Sequence, residues 1–254
     1  MENDDRQIGR ILSRRDALKL LGITGAALLA ACAPEGSDMA EPTSVSISPT
    51  TIADATSALP ACVVRPELTE GPYYVDEELN RSDIRSDPTN GAVKDGALLA
   101  LTFNVSQVSN GGCTPLEGAK VEIWHCDAEG VYSDVSDPGF NTEGQKFLRG
   151  YQVTDANGRA AFLTIYPGWY SGRTVHIHFK VHQDTSDSGR EFTSQLFFDD
   201  SFTDQVFAQE PYASKGQRNT LNSNDNIYQD ELLLNVAQAS DGYAAAFDIG
   251  LQLD

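Results

Sequence analysis

The sequence predicts an all-β fold, a β-sandwich with long connecting loops. Three observations lead there. Apolar and polar residues alternate in short runs at period two, the spacing of side chains on one face of a strand. Turn-forming Gly, Pro, Asn and Asp separate these runs at the intervals of an all-β domain. Little outside Thr203–Ala213 and Asp230–Ala239 carries a helical pattern. A chain of 254 residues, 40% hydrophobic and 22% charged, can bury such a core in one domain.

In chain order, residues 1–31 read as an export leader. The stretch "SRRDALKLLGITGAALLAAC" opens on Arg14 and Arg15, runs through an apolar segment from Leu20 to Ala31, and reaches Cys32. That segment falls short of the about 20 residues a helix needs to span a bilayer. It resembles a twin-arginine signal, and Leu29–Cys32 resembles a lipobox. The resemblance implies cleavage before Cys32 and lipidation of that cysteine. The product would be exported, either membrane-anchored or periplasmic or extracellular, and would touch a membrane only through the Cys32 anchor. Residues 32–61, rich in Ser, Thr, Pro and Ala without apolar periodicity, read as a flexible tether. Residues 62–254 are left for the folded domain.

Within that domain, Leu99, Leu101, Phe103 and Val105 share one face of a half-buried strand, and Ala119, Val121 and Ile123 repeat the pattern. "DANG", ending at Asn157 and Gly158, sits between two strand-like runs and predicts a hairpin turn. "RTVHIHFKV", "TSQLFFDD" and "GYAAAFDIGLQL" supply further strands. With Cys32 assigned to lipid, Cys62, Cys113 and Cys126 remain, which suits one disulfide and one free thiol in an oxidising compartment. Any pairing is open on sequence, as are three reduced thiols; Cys62 with Cys113 is favoured because Cys126 falls in a predicted strand.

The formal charge is −19, and removing residues 1–31 takes away five basic and four acidic residues, leaving 13 against 33, or −20. A polyanion would be repelled over most of this surface, which excludes nucleic acid as a partner.

Three of the four histidines fall within "YPGWYSGRTVHIHFKVH", residues 166–182. On a strand His176 and His178 share a face with α-carbons about 6.6–6.8 Å apart, so their imidazoles can converge on one ion. Either ring could instead satisfy a core hydrogen bond, because His-x-His alone is a weak pattern. No carboxylate follows at the spacing of a two-histidine, one-carboxylate site. Phenols are abundant: Tyr170 stands six residues before His176, and Tyr132 follows a second strand.

"VEIWHCDAEGVYS", "FLRGYQVTDANGRAAFLTIYPGWYSGRTVHIHFKV" and "LTEGPYY" together resemble the intradiol ring-cleavage dioxygenases, in particular the catalytic chain of protocatechuate 3,4-dioxygenase and its exported relatives. The likeness runs from about Cys62 to Phe198. It rests on W-x7-Y (Trp124 to Tyr132) followed by P-G-x-Y-x2-R-x2-H-x-H (Pro167 to His178).

The resemblance implies one Fe(III) per chain, held by Tyr132, Tyr170, His176 and His178 on the loops and strand of the sandwich. It implies cleavage of a catechol-type diol by O2 to a cis,cis-muconate-type product, with both oxygen atoms incorporated. Tyr170 would yield its place to the diol and take a proton, and Arg173 would stabilise charge on the ring. Thr69, Pro72, Tyr73 and Gln195 match positions near the substrate. Two further readings stay open: a zinc hydrolase using His176, His178 and His182, and a non-catalytic transthyretin-like binding module, which "PLEGAKVEI" also resembles. The oligomeric state and the particular catechol are not specified by the sequence.

Overall fold

The computed structural model describes residues 63–109, 112–185 and 189–252. Cys32, the leader, the tether and Cys62 lie outside them.

Two sheets form the domain. In the first, β1 (Leu98–Ser109) is central. Its first half pairs antiparallel with β7 (Arg159–Ile165) and its second half with β2 (Gly112–Pro115). On its other side it pairs in parallel with β11 (Gly242–Gln252), which β10 (Val236–Ala239) borders. The second sheet is antiparallel in the order β6 (Arg149–Val153), β3 (Lys120–Trp124), β8 (His176–His182), β9 (Glu191–Phe197). A short β4–β5 pair (Ser136–Asp137, Phe140–Asn141) lies in the loop after β3.

The period-two pattern selects the faces that meet. Leu99, Leu101, Phe103 and Val105 of β1 and Ala119, Val121 and Ile123 around β3 are all fully buried. Between the sheets, the Phe103 ring lies 5.3 Å from Phe179 of β8 and 6.0 Å from Phe247 of β11. Each buried aromatic of this kind contributes about 1.5–3 kcal/mol of transfer free energy.

Several elements differ from the expectation. The turn at Asp155–Gly158 forms, with the Gly158 amide bonded to the Asp155 carbonyl at 2.8 Å and Gly158 at φ 72°. It does not close a hairpin between neighbouring strands, because β6 pairs with β3 and β7 pairs with β1; it carries the chain from one sheet to the other. Strand β8 starts at His176 and not at Arg173, since the Thr174 amide donates to the Asp225 carboxylate. The one α-helix among the described residues, α1, spans Asp200–Phe207, earlier than Thr203–Ala213. Asp199 caps it by accepting from the Phe202 amide, and Pro211 ends any continuation before a 3₁₀ turn at Tyr212–Lys215. Asp230–Leu232 is a single 3₁₀ turn, while Val236–Ala239 pairs with β11 as a strand. Cys113 is disulfide-bonded and Cys126 is a buried free thiol placed just after β3, not inside a strand.

Strand β8 positions the site. Ile177, Phe179 and Val181 enter the core, and the opposite face carries His176, His178 and Lys180, also buried. A buried polar face needs partners. They come from residues 69–74, from the loop after β3, and from the loop before β8.

Candidate metal centre

The His176 and His178 Nε2 atoms lie 3.0 Å apart on the outer face of β8. His176 Nδ1 is 2.6 Å from the Thr174 carbonyl and donates to it, so Nε2 is the nitrogen with a free lone pair. Two phenols reach the same atom: the Tyr132 hydroxyl at 3.4 Å and the Tyr170 hydroxyl at 3.3 Å. Two donors at about 2.0–2.1 Å from an ion, a bond length usual for imidazole, stand roughly 2.9–3.4 Å from each other at right to tetrahedral angles. The observed spacings match the edges of one coordination shell.

Local folding brings each donor in. Asp127 turns the chain after β3, its Oδ1 accepting from the Glu129 and Val131 amides, and Gly130 takes φ 78°. A Cβ at Gly130 would overlap the Trp169 carbonyl, so the turn carrying Tyr132 packs directly on the loop carrying Tyr170. The Trp124 indole stacks on His178, centroids 5.0 Å apart and planes 7° apart. Gly71, at φ 74°, lies over the same ring, where an added Cβ would sit 3.2 Å from Cε1. Tyr132 is fully buried and Tyr170 only partly.

Burial sets the protonation states. It pushes the phenols of Tyr132 and Tyr170 well above the usual tyrosine range. It pushes His178 well below the usual imidazole range, and with the nearby Arg173 it lowers His176 to about 3. Four neutral, desolvated donors therefore face one point without a carboxylate. Among the described residues no group of three or more His, Cys, Asp or Glu could hold a metal. A set of two imidazoles and two phenols fits a highly charged ion, whose field favours the phenolate form.

The other predicted residues gather around these four. Arg173 donates through Nε to Asp225 at 2.8 Å and through one Nη to Gln195 at 2.6 Å. Gln195 faces His178 across β8–β9 and donates to the Thr69 carbonyl at 2.9 Å. Tyr73 stacks on Tyr132 at 4.6 Å, meets Tyr170 edge-on, and donates to Asp137 at 2.8 Å. Burial and that carboxylate raise its pKa to about 12. Pro72 forms the turn between Gly71 and Tyr73.

His182 is not brought to the pair. Its nitrogens lie 3.9 Å from Glu122 and 3.8 Å from Glu191, about 13 Å along the strand from His178. His125 bonds the Cys126 carbonyl and the Thr164 hydroxyl. The sequence reading missed Asp225 and Gly71. The Asx-rich "NSNDN" around Asp225 marks a turn, and nothing in it points to Arg173, 52 residues earlier.

A β-sandwich that converges phenols and imidazoles at the start of one strand defines a candidate metalloenzyme. Comparison with known proteins gives the class a family. A family model described as Dioxygenase matches residues 69–253. The protocatechuate 3,4-dioxygenase beta chain of Burkholderia cepacia is 35% identical over 136 residues, 50% of this chain and 56% of that protein. The catechol 1,2-dioxygenase of Acinetobacter baylyi is 32% identical over 155 residues, 52% and 45% of the two chains. The chain thus spans about half the length of these curated relatives. Among solved structures, an intradiol ring-cleavage dioxygenase from Tetranychus urticae is 31% identical and superposes with a TM-score of 0.66, covering 75% of this chain and 95% of that one. The chain belongs to the intradiol ring-cleavage dioxygenase family.

Proposed function

We propose that the chain cleaves a catechol-type diol between its two hydroxyl-bearing carbons, using one Fe(III) per chain and O2, to give a cis,cis-muconate-type product that keeps both oxygen atoms. The observation that carries this reading is the convergence of Tyr132, Tyr170, His176 and His178 within 3.0–3.4 Å contacts. Ferric ion bound there would supply Lewis acidity and make a chelated diol reactive toward O2.

The chain's own residues then have separable tasks. His176, fixed in one tautomer by the Thr174 carbonyl, and His178, stacked on Trp124 with Gly71 close to its Cε1, hold their lone pairs in place. Tyr132, buried and stacked under Tyr73, is the fixed phenolate. Tyr170, the more exposed of the two, is the one free to move aside and accept a diol proton. Arg173 keeps a permanent positive charge beside the ring that becomes electron-rich. Its Asp225 partner cancels the net charge, and Asp137 adds a carboxylate behind Tyr73, so the substrate is a neutral or weakly charged catechol. We further propose that the protein reaches this role as an exported lipoprotein anchored through Cys32.

The visible spectrum of purified, iron-loaded protein tests the central claim. A tyrosinate-to-iron charge-transfer band should colour it burgundy, and Tyr132→Phe should weaken or shift that band. A colourless protein with full iron occupancy would overturn the reading.

A further inference from the structure

Asp225 lies 52 residues from Arg173 in sequence, yet its side chain is 1% exposed and buried against it. A lone carboxylate in such a place needs compensation. It receives three donors: the Arg173 Nε–H at 2.8 Å and the Thr174 amide at 2.9 Å on one oxygen, and the Ile227 amide at 2.8 Å on the other. The backbone amide of Asp225 and the Thr174 hydroxyl both bond to Asn222, which ties the two segments together again.

Two lines of influence leave this carboxylate. The first runs through Arg173: with Nε on Asp225 and one Nη on Gln195, the guanidinium plane is fixed at two points, and its remaining Nη has no partner among the described residues. The second runs through the peptide unit after Arg173. Pulling the Thr174 amide to Asp225 keeps residues 173–175 out of the sheet, and the Thr174 carbonyl then accepts from His176 Nδ1.

We propose that Asp225 is a positioning residue for ring cleavage: one of its oxygens aims the Arg173 guanidinium at the bound diol and sets the Thr174 backbone that orients His176. This rests on the dioxygenase reading above and adds a residue to it. The ion pair is one Nε–H bond to a carboxylate that two backbone amides also hold, and loss of such an outer-shell partner lowers activity by about 10- to 100-fold.

Asp225→Asn keeps one acceptor and nearly the same shape but cannot serve both donors as an anion. In the iron-loaded protein, kcat should fall about 10- to 100-fold. The iron content should hold, and the affinity for catechol under anaerobic conditions should change by less than about threefold, within roughly 0.7 kcal/mol. Arg173→Gln combined with Asp225→Asn should lose less than the product of the two single losses, because part of the Asp225 effect runs through Arg173. Wild-type kcat in Asp225→Asn, or losses that multiply in the double variant, overturns the proposal. Should Asp225→Asn not fold, Asp225→Glu moves the carboxylate by one methylene and carries the same expectation.

A metal-independent readout separates this from the functional reading. In the metal-free protein, NMR should show the Arg173 Nε–H as a slowly exchanging signal that Asp225→Asn abolishes. A rapidly exchanging Nε–H in the unmutated protein overturns the positioning role whatever the spectrum of the iron form. Conversely, an unmutated iron-loaded protein without the burgundy band or O2 uptake overturns the functional reading while leaving the NMR result intact.

Discussion

His125 shows how one buried ring makes stability depend on pH. It bonds the Cys126 carbonyl at 2.8 Å and the Thr164 hydroxyl at 2.7 Å, and burial lowers its pKa to about 4. The unfolded chain, with an ordinary value near about 6.5, binds a proton between these limits that the folded chain refuses. The stability His125 supplies is therefore complete above about pH 6.5 and declines toward pH 4, with a slope approaching 1.4 kcal/mol per pH unit, roughly. His125→Gln should lower stability at neutral pH by about 1 kcal/mol and remove one proton's worth of slope in that window. Denaturant titrations of metal-free protein at several pH values measure both. At this scale the sequence was legible where a resemblance tied residue types together: Tyr132, Tyr170, His176 and His178, which it implies as ligands, lie side by side in the structure. It was silent on Asp225, because an aspartate in an Asx-rich turn looks the same whether or not an arginine arrives from elsewhere.

Strand β8 does two tasks with alternate residues. Phe179 is fully buried between Phe103 at 5.3 Å, Phe247 at 5.6 Å and Phe192 at 6.0 Å, while the adjacent His178 faces the opposite way. Phe179→Ala should cost about 3–5 kcal/mol, read from the denaturant midpoint. It should also loosen the site, seen as weaker iron retention against a chelator. Period two made β1, β3 and β8 readable, since one face of each had to be apolar. Pairing was not readable: the Asp155–Gly158 turn looked like a hairpin because both flanking runs were strand-like, and only the competition between sheets sends β6 to β3 and β7 to β1. Strand β10 was missed for a related reason. "VAQA" has no strong strand pattern, and its pairing with β11 overrides weak local preference.

Charge acts on the whole molecule. A net charge of −19 repels anions at a distance, and two cations beside the site are already paired, Arg173 with Asp225 and Lys180 with Glu70 and Glu191. At low salt, kcat/KM for catechol should exceed that for protocatechuate. A value for protocatechuate tenfold above that for catechol, roughly 1.4 kcal/mol in transition-state binding, would exclude the neutral-substrate reading. On the proposed export and lipidation, Cys32→Ser should move the protein from the membrane fraction to the soluble one with its O2 uptake unchanged, which fractionation and oxygen electrode measurements check together.

The central strand of the first sheet also imposes an order of events during synthesis. Leu99 has Tyr243 as its parallel partner, so the first sheet stays open along that edge until Gly242–Gln252 has emerged from the ribosome. At about 5–20 residues per second, roughly 7–30 s pass in which a nascent strand exposes an edge of unpaired backbone N–H and C=O groups to its neighbours. For the export proposed above, chaperone shelter followed by transport of the finished fold would suit such a topology better than threading an unfinished chain through a narrow channel.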